Sequence, residues 1–234
     1  MRNTKGRLHI VEKVGIAFVL VLSPGYLVAQ NWEQYTNSEM DSLEGIEIYY
    51  RYIQVDGFDY LEFKGSTLIQ SPLTSLVAVL RDVQDMPNWV YNVESAKLMV
   101  INPMERYTYF VHKSIGIFFK PRDSYVYSIL NQDSITLDVS IKGNSKPDKV
   151  ERSDQYVRIE KGESQWVFIP VNKNTSKVIF QGYANPGGWI SSSLLTPLAK
   201  SELWKLPYYT LKELKTHITA EKYQNASYSF IRNY

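Results

Sequence analysis

Cysteine is absent from the 234 residues. That excludes disulfides, thiolate zinc sites, iron–sulfur clusters and a cysteine nucleophile. Histidine is scarce as well. His9 falls in the first 29 residues, and His112 and His217 stand isolated, with no His-x-x-x-His zinc spacing. Neither a Gly-x-Ser-x-Gly elbow nor a phosphate-cradling glycine loop with lysine occurs. The case for an enzyme is thin on these grounds, and no cofactor is expected. An excess of one charge is lacking too. Of 26 basic and 24 acidic side chains, Arg2, Lys5, Arg7, Lys13 and Glu12 fall before residue 30. The remainder is near neutral, which removes the electrostatic case for nucleic acid. No window after residue 29 approaches a membrane span.

The rest is an ordinary globular composition. Hydrophobic residues make up 44% and charged residues 21%, enough to bury one full core. Eighteen tyrosines suit strands and half-buried surfaces. At the N-terminus a basic stretch through Lys13 precedes the apolar run Val14–Leu22, the breakers Ser23, Pro24 and Gly25, and Ala29. This is the order of an export signal cut after Ala29; left uncut, the segment would serve as a membrane anchor. The expected organisation is this leader over 1–29, one domain over 30–222 and a loose polar tail over 223–234.

Within the domain, 31–42 reads as a helix or a lead-in. Ile46, Ile48, Tyr50 and Tyr52 then alternate with polar positions, and Asp56-Gly57 is a hairpin turn signal before a returning strand from Phe58. Ser71-Pro72 predicts a serine-capped helix carrying Leu73, Leu76, Val77 and Leu80, followed by a short helix over 82–89. Strands are predicted over 94–101, 106–113, 124–130, 135–142, 155–160, 164–171 and 178–184. The last stretch, about 190–221, is helical. Leu195, Ala199, Leu203, Leu206, Thr210, Leu214 and Ile218 form its apolar stripe, and Pro207 should break it locally. About nine strands with short turns imply a curved antiparallel sheet wrapped around a long C-terminal helix, an α+β fold.

Four motifs carry a family resemblance: Pro87-Asn88-Trp89-Val90-Tyr91-Asn92-Val93; Lys120-Pro121-Arg122-Asp123-Ser124-Tyr125-Val126-Tyr127; Val171 through Tyr183; and Asn185-Pro186-Gly187-Gly188-Trp189-Ile190. In order and spacing they resemble the START family of lipid-transfer domains, the helix-grip fold. Asn185 stands where that family usually has aspartate and Ser191 where it has proline. Val111-His112-Lys113 closes the strand in which some members place a carboxylate that pairs with the arginine.

The resemblance implies a tunnel between sheet and last helix that takes a lipid or sterol-like molecule without chemistry. Its expected contacts are Arg122 as a polar anchor, Asp123, Tyr109 and Tyr125 from the strands, and Trp189, Leu195 and Leu198 from the last helix and its approach. Asn185, Gly187 and Gly188 are expected to form a gate loop. The expected partners are that hydrophobic ligand and, transiently, a membrane, with the protein itself a monomer. The bland alternative is that Arg122 and Asp123 merely tie strand to loop. The family's enzymatic relatives imply the other alternative, a cyclase- or aromatase-like enzyme on a polycyclic or polyketide-like substrate, with His112 as general base or Arg122 in the pocket. His217, near a helix end, is expected to complement the helix dipole.

Overall fold

The structure, a computed structural model, describes residues 31–114, 120–187 and 203–234. The N-terminal leader, Gly188, Trp189, Leu195 and Leu198 lie outside them. Ten strands form one sheet: β1 (Glu33–Tyr35), β2 (Glu47–Val55), β3 (Phe58–Ile69), β4 (Val93–Ile101), β5 (Glu105–His112), β6 (Arg122–Gln132), β7 (Val139–Ser145), β8 (Val157–Arg158), β9 (Gly162–Asn172) and β10 (Thr175–Ala184). Their spatial order is β1-β2-β3-β10-β9-β7-β6-β5-β4, all antiparallel, with two-residue β8 pairing parallel to β6 where β7 has ended. Helix α1 (Leu73–Arg81) follows β3, α2 (Lys205–His217) covers the sheet, and the single turn α3 (Glu221–Gln224) begins the C-terminal segment.

The hairpin at Asp56-Gly57 forms as the sequence predicts. Both residues take positive φ, +50° and +80°, which matches the right-handed twist of the flanking strands. Three expectations change. The lead-in contributes β1 instead of a helix, because Glu33–Tyr35 finds the free edge of β2. Ile135 lies in a turn, with Leu137 at φ +64°, so β7 starts only at Val139. The Ser71 hydroxyl caps nothing. Pro72 flanks α1 in extended conformation, and the Thr74 N–H donates to Asn233 Oδ1 at 3.1 Å.

That last contact means the C-terminal segment is tied down. Gln132 exchanges two hydrogen bonds with the main chain of Arg232, and Ile231 and Tyr223 are buried. The Tyr223 hydroxyl donates to Asp85 at 2.7 Å, and His217 Nε2 meets the same oxygen at 2.8 Å. Hydrogen bonds from Lys222 and Tyr223 hold the Asp85 carboxyl well below the usual carboxylate range. His217 therefore joins a side-chain network as well as ending a helix. The sequence shows only a polar tail because these partners lie a hundred or more positions away.

Side chains on a strand alternate between faces, and cross-strand partners share a face. The ladder registers thus assign every residue to the concave or the convex side. Helix α2 lies on the concave side. It comes close to the sheet at Gly65, where a Cβ would stand 2.8 Å from Leu211 Cδ1 and 2.9 Å from Pro207 Cβ. Pro207 falls in the first turn of α2, where its missing N–H has no partner within the helix to lose.

Candidate functional site

Two adjacent rows of the concave face differ sharply. One row runs Leu130–Ile141–Trp166–Phe180 across β6, β7, β9 and β10. All four are buried, and the Trp166 and Phe180 rings stack with centroids 4.2 Å apart. Trp89, α1 and α2 close over this half, so it is filled. The next row, two residues along each strand, runs Ser128–Gly143–Ser164–Gly182. Aromatic side chains bury about 150–250 Å² each, so a row of serine and glycine puts far less side-chain volume above the sheet among the described residues, and the space over this row is termed the hollow. Around that row the concave-facing Tyr52, Leu61, Phe110, Val126 and Ser145 keep part of their surface exposed. Apolar side chains on an inner face reach that state where the wall borders a hollow.

At the end of the hollow, His112 on β5 stands directly across from Arg122 on β6, and the register puts Ser124 on the same face. His112 Nε2 lies 3.0 Å from Ser124 Oγ. Burial pushes the imidazole down to about 4, against which the Asp123 charge acts only partly, so His112 is neutral at pH 7. Arg122 is 4% exposed. Its Nε donates to the Pro186 carbonyl at 3.2 Å and its Nη1 to the Lys120 carbonyl at 2.6 Å. Burial pulls its guanidinium below the usual arginine value.

The segment that Arg122 holds is the expected gate loop. Asn185 Oδ1 accepts from the Gly187 N–H at 3.0 Å, a local turn bond. Gly187 takes φ +70°, and a Cβ there would lie 2.7 Å from the Arg158 carbonyl oxygen. Only glycine fits this position. Arg122 thus fastens the chain where β10 leaves the sheet.

Asp123, Tyr109 and Tyr125 belong to the other side. Alternation places all three on the convex face, away from Arg122. Asp123 is 1% exposed and takes a two-pronged pair from Arg158, with both N–O distances 2.9 Å. The Tyr109 hydroxyl adds a 2.9 Å bond to the same carboxylate. Burial pushes Asp123 up, but the bonds from Arg158 and Tyr109 outweigh it and hold the carboxyl below its ordinary value. Burial and the Asp123 bond push Tyr109 up to about 12. The remaining Arg158 donors hold the carbonyls of Pro147, Val150 and Glu151. This cluster pins the loop after β7 to the back of the sheet. For Asp123 the structural alternative is the one observed, with Arg158 as a partner that sequence spacing does not reveal. The alternation of small residues at 143, 164 and 182 was readable in the strands. Their alignment into one row needs the registers.

Among the described residues no group of histidine and carboxylate side chains could hold a metal ion, and no helix is long and apolar enough to cross a membrane. The family model described as START domain matches residues 22–217. The crystal structure of a STAR-related lipid transfer protein fragment from Xanthomonas axonopodis is similar, at 25% identity and TM-score 0.69, covering 81% of this chain and 99% of that one. Human StAR-related lipid transfer protein 5 shares the fold at 12% identity and TM-score 0.61, covering 80% and 87%. No curated protein matches the chain.

Proposed function

The chain belongs to the START domain family, and from that premise we infer that the concave hollow binds one hydrophobic molecule, a lipid or sterol-like ligand, and carries it without chemistry. The observation that carries this reading is the change from the row Ile141–Trp166–Phe180 to the row Gly143–Ser164–Gly182. One half of the concave face is packed like any core, and the other is left for a guest.

The energetics suit a carrier. Removing a methylene from water is worth about 0.8 kcal/mol, so sixteen methylenes gain roughly 13 kcal/mol in the hollow. They gain about the same in a bilayer. Exchange between the two is then close to balanced, and the protein replaces the costly aqueous passage. A general base would need orienting; His112 bonds a serine hydroxyl, and Asp123, the carboxylate whose charge it feels, is bonded to Arg158 on the opposite face. This favours the carrier over an enzyme.

The basic-then-apolar leader adds delivery to the cell envelope, with transient membrane contact, to the same proposal. Native mass spectrometry with organic extraction, on protein from the envelope of its own host, tests both parts. A stoichiometric lipid and a mass lacking residues 1–29 are expected. An empty protein that takes up nothing from liposomes would end the carrier reading.

A further inference from the structure

We propose that residues 218–234 form a strap that locks α2 down on the sheet, and that release of this strap sets the rate at which the molecule in the hollow exchanges. The inference rests on the carrier reading and adds the device that controls it.

The strap lies beyond the stretch that matches the family, which ends at residue 217. It is fastened at three places. At its start Lys222 Nζ lies 2.8 Å from both Asp82 and Asp85, and the Tyr223 hydroxyl lies 3.0 Å and 2.7 Å from the same two carboxylates. Asp82 ends α1, and Asp85 lies in the helical turn Val83–Asn88 that follows. In the middle the Arg81 guanidinium sits over the rings of Tyr228 and Phe230, 5.5 Å and 5.4 Å from their centroids. At the end the Asn233 amide accepts from the Thr74 N–H and donates to the Thr74 hydroxyl, both at 3.1 Å, and Ile231 is buried nearby in the chain.

The first fastening is the one that reaches α2. His217, the last residue of that helix, meets Asp85 at 2.8 Å and stacks on Trp89 with centroids 6.2 Å apart. Asp85 therefore receives the helix and the strap together. The sheet is a continuous ladder that parts only by breaking rows of main-chain hydrogen bonds. Helix α2 rests on it through side chains, as Leu211 and Pro207 rest on Gly65, so the helix is the wall that can yield. A helix pinned at its C-terminal end lifts only after the pin lets go, and each bond in the pin lowers the population of the lifted state. The side chains of Lys222 and Asp82 are 53% and 33% exposed. Water can replace those bonds, so this fastening opens before the buried end at Ile231.

The test uses the full chain. NBD-cholesterol and pyrene-labelled phosphatidylcholine are the probes, and their loading from vesicles and release to unlabelled phosphatidylcholine vesicles are followed by fluorescence. Lys222→Met with Tyr223→Phe keeps the bulk of both side chains and removes their donors to Asp82 and Asp85. Loading and release should both quicken roughly tenfold, the size of about one hydrogen bond to a charged group. The dissociation constant should hold, because a strap closed over empty and loaded protein alike alters only the barrier. A change that merely loosened the pocket would weaken affinity instead. The chain has no cysteine, so Asp82→Cys with Lys222→Cys places a single pair across the fastening. That protein should exchange as fast as the first variant, and more slowly than wild type once a short bis-maleimide joins the pair. If the first variant fails to fold, the rates before and after cross-linking decide alone. The inference is overturned if the folded first variant exchanges at the wild-type rate, if its affinity falls with no gain in rate, or if cross-linking leaves exchange unchanged. If folded wild type takes up neither probe, the carrier reading itself has failed.

Discussion

Two residues of travel along β7, β9 and β10 separate a solid wall from a hollow one. On one side Ile141, Trp166 and Phe180 meet Trp89 and the last helix; on the other Gly143, Ser164 and Gly182 form a run of small residues that ends at Phe63, across from Gly182. The backbone is the same ladder in both rows. The difference teaches that one sheet can carry a tightly packed half and a sparsely filled half, by side-chain volume alone.

The comparison can be broken most strongly in the filled half. Phe168 is fully buried beside Trp166, so Phe168→Ala should cost about 3–5 kcal/mol, read as a lowered midpoint in urea unfolding. A smaller loss would mean that this half is also loosely packed. Next comes the contact between sheet and helix. Gly65→Ala would press a methyl against Leu211 and Pro207, and overpacking of this kind costs about 1–3 kcal/mol. Unchanged stability together with tighter ligand retention would show that α2 shifts freely.

Protonation separates the two faces. The imidazole of His112 falls to about 4 in the folded protein, against about 6.5 in an unfolded chain. Below pH 6.5 the unfolded state binds a proton that the folded state refuses, so stability should fall as pH drops from 6.5 toward 4. His112→Asn should flatten that slope in denaturation midpoints measured across this window. Asp123 is also held low, but from the ordinary carboxylate value of about 3.9, so its contribution persists through the window and is lost only at stronger acidity. A slope unchanged in His112→Asn would assign the acid sensitivity elsewhere.

The smallest expected effect on stability is in the hollow half. Ser164→Leu puts an apolar side chain into unfilled space and should change unfolding free energy by less than about 1 kcal/mol, while reducing lipid uptake from liposomes severalfold. Full uptake in a stable Ser164→Leu protein would remove this row from the binding site.

Much of the architecture was legible in residues 45–184. Alternation at Ile46, Ile48, Tyr50 and Tyr52 gave a strand, Asp56-Gly57 its hairpin, and Leu73, Leu76 and Leu80 a helix. Those signals are local, set by the two- and 3.6-residue periods of the backbone. The site was less legible. Arg122 donates to the carbonyl of Pro186, yet its next neighbour in sequence, Asp123, serves the opposite face. Adjacent strand residues must point apart, so two candidates quoted in one motif could not both line one pocket. The tail reads as loose for a similar reason: Arg232 and Asn233, though exposed, bond Gln132 and Thr74, far away in sequence.

By itself the sequence determined the elements, their antiparallel connection and the family, because each depends on neighbours a few positions apart. The tertiary structure alone decided which residues share a face, and hence that Asp123 pairs with Arg158 while His112 meets Ser124 on the other face. Register is a relation between distant strands, and a shift of one residue would exchange the two faces completely.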